Sequence, residues 1–97
     1  MIYWFHPEAK TELLESITYY ELQQEGLGRR FLDGLTEGLN RIKTHPKMYR
    51  KVVGQWRQCR IPRFPFGLIY RVHNRRLEII AVMHLNRKPG YWRDRSV

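Results

Sequence analysis

The sequence predicts an α+β fold: an N-terminal strand, a helical hairpin, then a three-stranded antiparallel meander with both helices packed on one face of the sheet. Three observations carry that expectation. Apolar residues recur at helical spacing in two successive stretches of the first half. In the second half the apolar runs are short and are separated by polar or proline-bearing turns. A chain of 97 residues with 42% hydrophobic and 13% aromatic content suits one core, so residues 1–97 are expected to form one domain.

Each element has its own signal. Ile2 to Phe5 is a short β-rich run ended by His6-Pro7. Proline is tolerated at the first helical position, and Glu8 and Glu12 suit the positive end of a helix. Ala9, Leu13, Ile17 and Tyr20 then fall on one helical face. Glu25-Gly-Leu-Gly28 breaks this helix, with Gly26 read as its C′ residue. Phe31, Leu32, Leu35, Leu39 and Ile42 form the stripe of a second helix, which Thr44-His45-Pro46 stops. So short a break makes the pair an antiparallel hairpin. Lys47 to Gly54 reads as a basic linker.

Three strands follow: Trp56 to Ile61, Gly67 to Val72 and Leu77 to Leu85. The first turn contains Pro62 and Pro65, and the second is His73-Asn-Arg-Arg76. The N-terminal strand needs a partner as well, and its pairing with a later strand is expected to close the sheet.

Charge is the strongest compositional signal. Eighteen lysines and arginines face nine acids, for a net charge of +9 and a pI near 10.2. Glu8, Glu12, Glu15, Glu21, Glu25, Asp33 and Glu37 all precede Arg41, and only Glu78 and Asp94 follow it. One half reads as scaffold and the other as a positive face for a phosphate-rich or acidic partner. The single Cys59 excludes an internal disulfide, suits a reducing cytoplasm and reads as a buried structural thiol. There is no long apolar run, and Met1-Ile-Tyr-Trp-Phe5 reads as a strand rather than a signal core, so a cytoplasmic location without membrane contact is expected. His6, His45, His73 and His84 lack metal-ligand spacing, so neither metal nor cofactor is expected.

Two sets of residues could do chemistry or binding. Cleavage of RNA needs a cation for the phosphorane and groups that move protons, which points to Arg60, Arg71, His84 and Arg87. Near the end of the last strand, His84 is expected to approach Arg60 or Arg71 across the sheet. Binding of a large target instead points to Lys51, Arg63, Lys88, Tyr91, Trp92 and Arg93, with Tyr91 and Trp92 exposed among cations. Each has a plainer reading. His84 also suits a core position, Tyr91 and Trp92 could fold back over the sheet, and Tyr19, Tyr20, Tyr70 and Trp56 read mainly as packing.

Four segments together resemble the RelE/ParE superfamily of bacterial type II toxins: His6-Pro-Glu-Ala9, Thr44-His-Pro46, Arg63-Phe-Pro-Phe-Gly-Leu-Ile-Tyr-Arg-Val72 and Ile80-Ala-Val-Met-His-Leu-Asn-Arg87. The resemblance covers essentially the whole chain. It implies a compact toxin neutralised by a cognate antitoxin whose toxin-binding part is acidic, with oligomers formed only through that complex. RelE-like members cut messenger RNA on the ribosome, whereas ParE-like members inhibit DNA gyrase. In the RelE-like pattern an arginine precedes Leu-Val-Tyr and helps stabilise the phosphate; here that position is Gly67. Arg60 and Arg87 match basic positions of the pattern, and Tyr91 matches a C-terminal tyrosine across an altered Pro89-Gly90 path. The loss at Gly67 favours the ParE-like, gyrase-binding expectation, with a ribosome-dependent endonuclease as the alternative.

Overall fold

The computed structural model describes residues 2–96. Its elements are β1 (Ile2–Phe5), α1 (Pro7–Gln23), α2 (Leu27–Thr44), β2 (Lys51–Val53), β3 (Trp56–Arg60), β4 (Phe66–His73) and β5 (Arg76–His84). They build an α+β fold whose one sheet has the order β1-β5-β4-β3-β2.

Two expectations about the sheet need correction. The meander has four strands, because Lys51–Val53 of the supposed linker pairs with β3. A three-residue strand with only two consecutive valines is too short for periodicity to reveal. The sheet is also mixed and open: β1 lies parallel to β5 at one edge, and β2 forms the other. A parallel neighbour follows from the long α1–α2 crossover, which returns the chain to the far side of the sheet.

Helix α1 begins as Pro7 at its first position requires, and His6 caps it by accepting the Glu8 N–H on Nδ1 at 3.0 Å. Gly26 does adopt the left-handed conformation, at φ 85°, but it is the N-cap of α2 and not the C′ residue of α1. A glycine cap has no side-chain acceptor. Glu21 supplies one from α1, its carboxylate accepting the Gly26 and Gly28 N–H groups at 3.0 Å each. The hairpin turn is thereby locked through the helix N-terminus.

Both faces of the sheet are covered. Ala9, Phe31, Leu35, Leu39 and Ile42 from the helices pack on Cys59, Leu68, Tyr70, Leu77, Ile79 and Val82. On the other face Ile69, Ile80, Ala81 and Met83 form a second apolar cluster, closed by Trp92 from the C-terminal segment. Alternation along β4 separates Leu68 and Tyr70 from Ile69. A bulge between Ile69 and Tyr70, opposite Ala81 and Ile79, sets both Ile80 and Ala81 on the second face. Cys59 is fully buried, and burial pushes its thiol above its ordinary value. Tyr70 is buried too, its phenol pushed up to about 12 by burial while its hydroxyl donates to the Pro46 carbonyl at 2.7 Å.

Among the described residues, no helix is long and apolar enough to cross a membrane.

Candidate functional site

Three bases of the basic half, Arg50, Lys51 and Arg93, meet on the sheet face away from the helices, while Arg41 and Lys43 lie on α2 and Arg87 and Arg95 pair with Glu12 of α1. Before Arg41 there are seven acids and three bases; from Arg41 onward there are two acids and fifteen bases.

A groove of about 580 Å³ opens on that second face. Ile69, Met83 and Leu85 line it together with Gln58, and the C-terminal segment forms a wall with Pro89, Gly90, Trp92 and Arg93. Arg50 and Lys51 line it from the β2 side. Among the described residues, none of Arg50, Lys51 and Arg93 has a carboxylate within ion-pair distance. Three unneutralised cations beside an apolar lining favour an acidic ligand with apolar groups.

Of the residues expected to bind a target, the fold brings Lys51, Trp92 and Arg93 to this groove. Trp92 is only 2% exposed, so it closes the second core and does not stand free as a stacking platform. Its indole N–H is the one buried side-chain polar atom among the described residues that lacks a hydrogen-bond partner. Tyr91 is half-buried, its hydroxyl donating to Glu12 and its ring lying under Arg87, whose guanidinium carbon is 3.7 Å from the ring centroid. Burial and the Glu12 carboxylate raise its phenol well above the ordinary range. Lys88 is exposed on the same segment, while Arg63 lies apart at the β3–β4 turn, 3.7 Å from Glu37.

The residues expected to act on RNA are dispersed. Phe66 sits opposite His84, whereas Arg71 sits opposite Glu78 toward the other end of the same hairpin, so His84 does not approach Arg71. Arg60, at the end of β3, pairs with Gly67 of β4 and lines a shallow depression with Arg41 and Arg63. Only His84 and Arg87 share a groove, beside Glu12, Tyr19 and Tyr20. Tyr19 is 59% exposed there, a correction to its reading as packing.

Arg71 is occupied elsewhere. Its Nε lies 2.6 Å from Glu78, which is 1% exposed, and its guanidinium stacks on Trp56 at 4.6 Å. Arg76 completes the pairing of Glu78 and stacks on Trp4. Burial alone would raise the Glu78 carboxyl; the hydrogen bonds from Arg71 and Arg76 outweigh it and hold the group below the usual range. This buried carboxylate was missed in the sequence, where the two late acids gave no sign of which one is enclosed.

A Cβ at Gly67 would meet Gln58 Cγ at 3.1 Å, a close approach that a small shift of the partly exposed Gln58 side chain would relieve.

The fold and this groove define a small basic α+β protein with an open, cationic and apolar-lined groove on one face of its sheet. The same fold occurs in a solved structure described as "Chromosomal ParDE TA system from P. aeruginosa", with a TM-score of 0.75 at 14% identity over 89% of this chain and 97% of that one. A search of curated proteins returns no match. The family profile described as "ParE toxin of type II toxin-antitoxin system, parDE" matches residues 3–89, and the chain belongs to that family.

Proposed function

We propose that this protein arrests growth by binding DNA gyrase in the cytoplasm and that a cognate antitoxin neutralises it. The observation that carries the reading is the contrast between its two candidate sets. Lys51 and Arg93 meet at one apolar-lined groove with Arg50, while Arg60, Arg71 and His84 lie at separate places and Arg71 is spent on Glu78. A binding inhibitor needs a complementary surface, and an endonuclease needs its cation and its proton carriers around one phosphate. The cationic groove also suits an antitoxin segment that is acidic and partly apolar.

The test is a pulse-label of cells in which the protein is induced without its antitoxin, following DNA and protein synthesis separately. DNA synthesis should stop first while translation continues, and purified protein should inhibit gyrase supercoiling. Supercoiling untouched by excess protein would sink the gyrase reading.

A ribosome-dependent endonuclease is the second reading, supported by His84 and Arg87 lining one groove with Tyr19 and Tyr20. It requires an early stop in translation, and it fails if Arg60→Ala and His84→Ala both leave toxicity intact.

A further inference from the structure

We propose that Glu12, on α1, is a positioning residue: it fixes the C-terminal segment, and with it the wall of the basic groove that Pro89, Gly90, Trp92 and Arg93 form. The functional half of this inference rests on the reading that the groove is the working surface.

The geometry begins at a sheet edge left unfinished. β1 accompanies β5 only as far as Ile79, where the His6 N–H donates to the Ile79 carbonyl at 2.9 Å. Past that point the edge of β5 continues without a neighbouring strand, and its polar groups need other partners. The Val82 N–H donates to Glu12 Oε1 at 3.0 Å, and the Ile80 carbonyl accepts from Arg95 Nη1 at 2.8 Å. Arg95 and Glu12 also bond each other, Nη1 to Oε1 at 3.0 Å and Nη2 to Oε2 at 2.9 Å. A carboxylate from α1 and a guanidinium from the C-terminal segment thus stand where the next strand's peptide groups would be. Tyr91 adds its hydroxyl to the same carboxylate, and Arg87 lies 3.6 Å away.

This pair is well enclosed, with side chains 10% and 12% exposed for Arg95 and Glu12. Burial works against the Arg95 charge, and the Glu12 carboxylate more than restores it. The segment between the groove and this anchor is a series of tight turns, with Tyr91, Arg93 and Arg95 N–H groups bonded to the carbonyls three residues earlier. Its side-chain holds are the burial of Trp92 and the contacts to Glu8, Glu12 and Ile80. Glu12 receives three of those contacts from Tyr91 and Arg95, so it governs where Trp92 and Arg93 sit.

Limited trypsin digestion of the full chain tests this, with cleavage after Arg93 followed against cleavage after Arg30 on α2 as a reference for global unfolding. In Glu12→Gln, cleavage after Arg93 should accelerate about tenfold or more, because cleavage follows the population of the released segment and charge-assisted bonds hold it. Cleavage after Arg30 should stay within about twofold. Glu12→Ala combined with Arg95→Met should accelerate cleavage by less than the product of the two single effects, since the two share the Glu12–Arg95 bonds while Glu12 also holds Tyr91 and Arg95 also holds the Ile80 carbonyl. Tyr91→Phe should shift cleavage in the same direction by less. Growth-arrest potency of Glu12→Gln should fall at least about tenfold in parallel.

Unchanged cleavage after Arg93 in Glu12→Ala overturns the proposal, as does acceleration at both sites together, which would mean ordinary destabilisation. Release of the segment with potency intact overturns the positioning role. A failure of the gyrase reading would show separately, in the supercoiling assay with the unmodified protein, and would leave these outcomes as they stand.

Discussion

At the scale of single residues, the buried Glu78 is the most consequential side chain that the sequence concealed. It is enclosed between Arg71 and Arg76, each of which stacks on a tryptophan. Removing Glu78 leaves two guanidiniums that are 24% and 42% exposed and can be solvated, so the loss is that of the charge-assisted hydrogen bonds. Glu78→Gln should therefore destabilise the fold by about 1.5 kcal/mol in urea unfolding. The pH dependence has a defined sign. The folded-state carboxyl titrates below its ordinary value of 4.5, so between the two values the unfolded chain binds more protons. The stabilisation is fully present above about pH 4.5 and is lost as pH falls through the folded value. Unfolding from pH 7 down to pH 3 should show a shallower acid limb in Glu78→Gln; an identical slope would remove Glu78 as its source. Gly67 belongs to this scale as well. Its identity was legible in the sequence, but the close approach of the Gln58 side chain to it was not.

At the scale of elements, both helices were legible because each buries a stripe whose spacing is written in the chain. Ala9 is fully buried with Leu13, Ile17 and Tyr20 packed beside it, and Phe31, Leu35, Leu39 and Ile42 are buried. What periodicity omits is how the ends are satisfied. The α2 N-terminus has no capping side chain of its own and borrows Glu21 from α1. Glu21→Ala should cost about 1 kcal/mol, as loss of an N-cap acceptor does, and should raise amide exchange at Gly26 and Gly28 ahead of the α2 interior. Equal exchange in both proteins would assign the turn's order to packing alone. β2 escaped notice for a different reason. Its pairing to β3 and the placement of Val52 and Val53 against the second core make it a strand, and both are long-range effects.

At the scale of the whole molecule, the sheet separates an acid-bearing helical side from a cationic groove. Charge on such a groove acts on association and on partner choice more than on the fold. Reversal of Arg50 and Lys51, both exposed and without ion-pair partners among the described residues, should change unfolding free energy by no more than about 0.5 kcal/mol. Growth arrest should nevertheless be abolished, and antitoxin binding by the unmodified protein should weaken as salt rises. If the Arg50→Glu/Lys51→Glu protein folds and remains fully toxic, the groove is not the working surface.

The sequence by itself determined the fold class, the two helical faces, the three longer strands and the basic character of the second half, because these depend on local periodicity and composition. Tertiary structure alone decided which charges are free and which are spent. Arg71 and Arg93 look alike in the chain, yet one is neutralised against a buried carboxylate and the other lines an open groove. Glu12 and Arg95 are 83 positions apart and meet where β1 ends opposite Ile79 and leaves the edge of β5 for them to complete. A charge's work depends on its partner and its solvation, and both are set by which distant segments the fold brings together.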